Sequence, residues 1–292
     1  MKVNKAVFPA AGLGTRFLPI TKAIPKEMLP LVDKPLIQYG VEECIESGIH
    51  DIIIVTGRGK TAIEDHFDRS IELETVLEEK GKYDLLRAIK KISNLTNFSY
   101  TRQKESLGLG HAILCARNLI SGEPFAVVLG DDIIDSKVPV MKQMINVYKT
   151  YRYTVLAVQR VKREEVSRYG IIQGKEIDKG FYKVEDLIEK PEPDEAPSNL
   201  AIIGRYILTP RIFDFLNVAK PGKGGEIQIT DAIKALLSKQ PVYALEFEGN
   251  RYDCGNKLEF LKAQITFSLK NEDLREGLLK FIKELDLVRI YN

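Results

Sequence analysis

A chain of 292 residues with 43 Lys and Arg against 41 Asp and Glu has a formal net charge of only +2. That balance is too even to present the basic field that attracts nucleic acid, and no apolar run reaches the roughly 18 residues of a membrane span. Cys44, Cys115 and Cys254 are odd in number, and with His50, His66 and His111 they form neither a disulfide framework nor zinc spacing. The N-terminal Met1-Lys2-Val3-Asn4-Lys5 lacks the apolar segment of a signal peptide, so a cytoplasmic enzyme with free thiols is expected. The length allows a substantial core in one large domain, or in one domain with an appended part.

The first strand is expected at 6–8, and it runs into Phe8-Pro9-Ala10-Ala11-Gly12-Leu13-Gly14-Thr15-Arg16-Phe17-Leu18-Pro19. Small residues let backbone N–H groups approach an anion, and Arg16 adds a fixed charge with forked donors. A second cation, Lys26, follows between the prolines of Pro25-Lys26-Glu27-Met28-Leu29-Pro30. Two cations in one stiffened loop point to a polyphosphate; a plain glycine turn is the alternative. No Walker A string is present. The dinucleotide fingerprint fails twice, because Phe17 stands at the third glycine and the next strand ends in Thr56-Gly57-Arg58 without an acid. An NAD-binding oxidoreductase is therefore disfavoured.

Further along, Pro35 suits the first position of a helix whose inner face carries Ile37, Val41, Cys44 and Ile45 up to Gly48. Strands are expected at 52–55, 98–101 and 125–129, with helical patterns at 71–93, as one long rim insertion, and at 108–119. This βαβ rhythm predicts a mostly parallel sheet with ligands at the C-terminal ends of its strands. At that edge Gln103 precedes Gly108-Leu109-Gly110, where an amide beside a glycine turn could read a pyrimidine; taken alone it is a surface Gln. The 125–129 strand leads into Gly130-Asp131-Asp132. Paired acids there could hold a hard cation such as Mg²⁺ together with phosphate oxygens, or could merely cap a turn.

The second half is richer in strands, expected at 153–161, 170–173, 181–188 and 201–208, with helices at 210–216 and 229–237. Glu189-Lys190-Pro191 ends one strand; its carboxylate could accept from vicinal hydroxyls and its ammonium could meet a phosphate, although solvated surface is the usual reading. Asp253 in Tyr252-Asp253-Cys254-Gly255 stands between a strand and a helix start, where a helix cap is the ordinary role. From Asn256 on, Leu258, Leu261, Ile265, Leu274, Leu278, Phe281, Ile282 and Leu285 follow helical spacing. Such a pair of helices packs on its own domain or makes a dimer contact.

Taken together these segments resemble the bacterial UTP–glucose-1-phosphate uridylyltransferases, a family of sugar nucleotidyltransferases. The likeness lies in the 9–16 and 24–30 loops, Gly108-Leu109-Gly110-His111-Ala112, Gly130-Asp131-Asp132, Tyr169-Gly170 and Glu189-Lys190-Pro191. It continues through Gly225-Glu226-Ile227-Gln228-Ile229-Thr230-Asp231-Ala232 and the 252–255 segment, in order from near Met1 to about Asn256.

The resemblance implies an α/β fold with a Rossmann-like mixed, mostly parallel sheet flanked by helices. A catalytic domain at 1–255 would divide into a nucleotide half (about 1–150) and a smaller sugar-binding β part (about 151–255), followed by a helical extension at 256–292. It implies that Ala10, Ala11, Gly12, Gly14 and Thr15 hold the nucleotide while Gln103 and Gly108 read uracil. Arg16 and Lys26 would neutralise the triphosphate and Lys190 the sugar phosphate. Asp132, Gly170 and Glu189 would contact glucose, and Asp131 and Asp253 would hold Mg²⁺. Partners implied are UTP, glucose 1-phosphate, UDP-glucose and pyrophosphate, with a homodimer or homotetramer as the assembly. Relatives using dTTP or another hexose 1-phosphate share these motifs, and a non-catalytic nucleotide-sugar binder is the alternative of a different class.

Overall fold

The computed structural model describes residues 2–285; the end of the 256–292 extension lies outside the described residues. The chain opens with β1 (Lys5–Ala10), a series of tight turns, and a two-residue ladder of β2 (Pro30–Leu31) and β3 (Lys34–Pro35). It continues with α1 (Leu36–Glu46), β4 (Asp51–Thr56), α2 (Thr61–Phe67), α3 (Ile71–Glu79), α4 (Tyr83–Ser93) and β5 (Asn97–Arg102). Then come α5 (Leu109–Cys115), α6 (Arg117–Ile120), β6 (Phe125–Val128), β7 (Asp132–Asp135), α7 (Val140–Tyr151) and β8 (Thr154–Arg160). The second half adds β9 (Gly170–Asp178), β10 (Phe181–Glu189), β11 (Leu200–Leu208), α8 (Ile212–Leu216) and α9 (Ile229–Leu236). Last are β12 (Val242–Glu246), β13 (Asn250–Asp253), α10 (Lys257–Lys270) and α11 (Glu272–Glu284).

One nine-stranded sheet, in the order β5-β4-β1-β6-β11-β8-β12-β10-β9, runs through both halves. The parallel pairing expected from the βαβ rhythm holds across β5-β4-β1-β6 and recurs between β12 and β8. The other pairings are antiparallel, so the sheet is mixed, and a contact between β11 and β9 curls its far end inward. The apolar runs of the parallel strands divide between two cores. Val7, Ile53, Val55 and Val127 face one side with α5, α8 and α9. Ala6, Phe8, Ile52, Ile54, Ala126 and Val128 face the other, under α1 and α7. Burial on both faces is why these strands show continuous apolar runs.

Several boundaries differ from expectation. The 71–93 segment is two helices, because Gly81 adopts φ +66° and the amides of Gly81 and Lys82 turn back onto the carbonyls of Glu78 and Leu77. That left-handed residue closes α3 in the manner of a glycine C-cap. Pro35 does not open α1; it completes the β2–β3 ladder, and Leu36 is the first helical residue. The 108–119 segment likewise breaks at Ala116, and β9 runs on past residue 173 because its largely exposed outer half continues to pair with β10.

The C-terminal helices pack on their own domain along one face of α10 and leave the other exposed. Phe260, Ala263 and Phe267 of α10 pack with Leu29, Leu31, Leu36 and Ile133 on the chain's own domain. The stripe singled out from spacing, Leu258, Leu261 and Ile265, faces outward, and α11 buries no residue. Among the described residues no helix is long and apolar enough to cross a membrane.

Candidate active site

Where β1, β5 and β6 end, the chain leaves a cleft of about 500 Å³, a size typical of small-molecule sites. Every candidate residue except Ala10 lines it: Ala11, Gly12, Gly14, Thr15, Arg16, Lys26, Gln103, Gly108, Asp131, Asp132, Gly170, Glu189, Lys190 and Asp253. Ala10 is the last residue of β1 and its side chain belongs to the core under α1.

The glycine loop is built from tight turns. Gly14 takes φ +65°, its carbonyl accepts from the Phe17 amide at 3.0 Å and from Thr21 Oγ1 at 2.8 Å, and Arg16 lies in the turn that follows. Lys26, in the next turn but one, meets Asp131 at 2.6 Å. Burial pushes the Lys26 ammonium down, but Asp131 and Glu27 more than reverse this and raise it. Burial pushes Asp131 up, and Lys26 outweighs that to hold it below the ordinary carboxylate range. A depressed folded-state carboxyl contributes stability that is present above its unfolded value and lost as pH falls through the lowered one.

The second acid arrives through the β7–β13 ladder, which sets Asp253 opposite Asp132 and lets the Cys254 amide donate to the Asp131 carbonyl at 2.8 Å. Asp253 does not cap α10; Asn256 does, accepting from the amides of Leu258 and Glu259. A methyl placed on Gly255 would lie 3.0 Å from Asp131 Oδ2, 3.0 Å from Asp253 Oδ1 and 3.4 Å from Arg16 Nη1. Two carboxylates thus converge on one point beside the Arg16 guanidinium. Among the described residues no group of three or more His, Cys, Asp or Glu gathers as a metal centre. Two carboxylates sharing a cation with phosphate oxygens and water is nonetheless the arrangement Mg²⁺ favours.

On the opposite wall Glu189 ends β10 in register with Gly170. Its Oε2 accepts from Thr230 Oγ1 at 2.7 Å and its Oε1 lies 3.2 Å from Lys190 Nζ. Lys190 has φ +47°, a conformation lysine seldom adopts, with its amide bonded to the Tyr169 carbonyl. Such strain is held by the surrounding structure and tends to cluster at ligand sites.

Gln103 is 6 % exposed rather than a surface residue. Its amide nitrogen lies 3.1 Å from the Gly108 carbonyl and 3.0 Å from His111 Nδ1. Gly108 itself has φ +99°, and a methyl there would lie 2.7 Å from Glu226 Cβ and 3.0 Å from the Ile227 carbonyl. Gly108→Ala is therefore expected to cost more than about 1 kcal/mol of stability and to weaken nucleotide binding. Denaturant melts and nucleotide titration of the variant check both.

Three side chains in the cleft escaped sequence reasoning. Arg251 pairs with Asp132 at 2.5 Å and reaches Tyr169 Oη at 3.2 Å, while Asp132 Oδ2 accepts from the Gly204 amide at 3.0 Å. Burial pushes the Asp132 carboxyl up, opposed by that guanidinium. Arg168 donates to Asp253 Oδ2 at 2.8 Å. Thr230 holds Glu189. The signal lay in adjacency: Arg168 precedes Tyr169-Gly170 and Arg251 precedes Tyr252-Asp253.

The family model described as nucleotidyl transferase matches residues 5–268. A UTP–glucose-1-phosphate uridylyltransferase of Staphylococcus haemolyticus is 57 % identical over 284 residues, covering 97 % of this chain and 99 % of the relative. A crystal structure of UDP-glucose pyrophosphorylase complexed with UDP-glucose superposes with a TM-score of 0.86 at 49 % identity, covering 92 % of this chain and all of that one (100 %). UTP-bound UGPase from Acinetobacter baumannii gives a TM-score of 0.90 at 39 % identity, covering 97 % and 100 %. On these matches the chain belongs to the nucleotidyl transferase family, alongside the UTP–glucose-1-phosphate uridylyltransferases.

Proposed function

We propose that the chain transfers a uridylyl group from UTP to glucose 1-phosphate, giving UDP-glucose and pyrophosphate. The observation that carries this reading is one cleft with Arg16, Lys26 and two converging carboxylates on one wall and Glu189-Lys190 on the other. A phosphate oxygen of glucose 1-phosphate attacks the α-phosphorus of UTP in line, and the bond to the departing pyrophosphate breaks. The attacking phosphate is already anionic, so no side chain acts as nucleophile. The physical difficulty is bringing two anions together, which cations held in place relieve without reorganising.

Arg16 and Lys26 neutralise the triphosphate, and Lys190 draws in the sugar phosphate. Gly12, Gly14 and Thr15 offer backbone N–H groups, Gln103 and Gly108 read uracil, and Glu189, Gly170 and Asp132 face the glucose hydroxyls. Mg²⁺ bound between Asp131 and Asp253 would supply charge neutralisation and orientation of phosphate oxygens. Residues 1–255 act as the catalytic unit, with 256–292 as an extension that carries α10 and α11. The outward stripe of α10 and the unburied α11 support a homodimer or homotetramer.

A pyrophosphate-release assay over a grid of nucleoside triphosphates and sugar 1-phosphates tests the reading. The expected result is preference for UTP with glucose 1-phosphate. Preference for dTTP, or for another hexose 1-phosphate, would replace it by the related activity, and tight UDP-glucose binding without turnover would leave only a binding protein.

A further inference from the structure

Asp131, Asp132 and Asp253 all line the cleft, and each is paired with a cation of its own. Asp131 meets Lys26 at 2.6 Å, Asp132 meets Arg251 at 2.5 Å, and Asp253 Oδ2 accepts from Arg168 Nη2 at 2.8 Å. The three cations are not held equally. The Arg251 side chain is 8 % exposed and is held a second time by Tyr169 Oη. The Arg168 side chain is 35 % exposed, the most of the three.

Arg168 reaches Asp253 from the opposite wall. It ends the turn Arg163–Arg168, which Val166 anchors by packing with Ile171, Ala196 and Ala201. The next residue fixes the turn in place: the Tyr169 amide donates to the Val166 carbonyl at 3.1 Å, and its carbonyl accepts from the Lys190 amide at 2.9 Å. The turn is thus tied to the wall of Glu189 and Lys190, while its guanidinium crosses to the end of β13. Two further neighbours lie on its own segment, Glu165 at 3.3 Å and the Tyr169 ring, whose centroid is 5.5 Å away.

Asp253 divides its two oxygens. Oδ1 accepts from the Gly255 amide at 3.1 Å, on the side where Asp131 converges, and Oδ2 is taken by Arg168. A guanidinium beside a metal carboxylate can act in two opposed ways, by orienting it or by competing for it. Magnitude decides between them. A partly exposed ion pair contributes little by holding a carboxylate still. Repulsion between the guanidinium and a doubly charged ion on the same carboxylate is larger, and it grows as the cleft excludes water. Release costs Arg168 little, because Glu165, the Tyr169 ring and water remain to it.

We propose that Arg168 is a placeholder for the divalent ion: it neutralises Asp253 until an ion arrives and gives the carboxylate up as the ion loads. It is a positioning residue that sets the metal affinity of the site, and its removal tightens that affinity. The proposal rests on the uridylyl-transfer reading through one point, the metal assigned to Asp253.

The test is a titration of the full chain with Mn²⁺, an ion that shares the oxygen ligands of Mg²⁺ and is read by electron paramagnetic resonance. Nucleotide and sugar are left out, so the readout is binding and not turnover. Arg168→Gln is expected to bind Mn²⁺ about three- to tenfold more tightly than wild type, between the worth of an exposed ion pair and that of a hydrogen bond to a charged group. Arg168→Lys keeps the charge and is expected to stay close to wild type. Should Arg168→Gln fail to fold, Arg168→Ala removes the same charge and is expected to show the same gain. Unchanged or weaker binding without the charge, or no binding in any of these proteins, would overturn the proposal; weaker binding would make Arg168 an orienting partner of Asp253. Asp253→Asn separates the two readings. If it binds Mn²⁺ as wild type does, the ion is not on Asp253 and the proposal falls, while the grid of nucleotides and sugar phosphates decides on uridylyl transfer by itself.

Discussion

Lys26→Ala is expected to lower turnover by about 10²–10³-fold, the range found when one charge-stabilising donor is removed from a transfer site. The ammonium stands 2.6 Å from Asp131, on the wall where Arg16 also lies. In the proposed reaction it would meet negative charge moving from the α-phosphate toward the departing pyrophosphate, so its loss is expected to fall on kcat more than on substrate binding. The fold survives, because the Asp131 side chain retains partial exposure and water can replace the missing partner. Initial rates at saturating UTP and glucose 1-phosphate, beside a thermal melt, give the answer. Near-wild-type kcat in a folded variant would remove Lys26 from the chemistry.

The largest stability loss is expected at Arg205, which is 1 % exposed in the middle of β11. Its Nε and Nη2 grip Glu43 of α1 at 3.0 and 2.7 Å. Nη1 donates to the carbonyls of Leu129 and Gly204, and Nη2 also donates to that of Asp132. Glu43 in turn accepts from the Met141 amide. One buried guanidinium therefore pins both ends of the turn that presents Asp131. Arg205→Met strands a buried carboxylate and leaves these carbonyls without their donor, a loss of about 3–5 kcal/mol when one partner of a buried pair is removed. Denaturant unfolding reads it directly. The double variant Arg205→Met with Glu43→Gln is expected to recover part of the loss, since the stranded charge is then gone. A single variant with an unchanged midpoint would show that the pair contributes nothing.

Much of this site was legible in one dimension. Gly12, Gly14, Arg16 and Lys26 could be read as a phosphate loop because small residues and fixed cations act through local backbone geometry. Asp131 stood just past β6, where the parallel part of the sheet presents its ligands, and Glu189-Lys190 at the end of the antiparallel β10. Arg205 was not legible, because a buried charge is recognisable only by its partner, and Glu43 comes from a distant element. Arg168 and Arg251 were hidden for the same reason among scattered surface-like charges.

Sequence alone indicated the buried strands of the first half, the glycine loop and the types of side chain available to a nucleotide, since propensity, turn chemistry and apolar periodicity are local; α2, α7 and β12 emerged only with the fold. It could not decide that Asp253 sits beside Asp131 rather than capping α10, since that depends on the β7–β13 ladder. Nor could it decide which stripe of α10 turns inward, because Phe260, Ala263 and Phe267 repeat with the same helical spacing as Leu258, Leu261 and Ile265. Tertiary structure settled both: which of two equivalent faces is buried depends on the surface it meets.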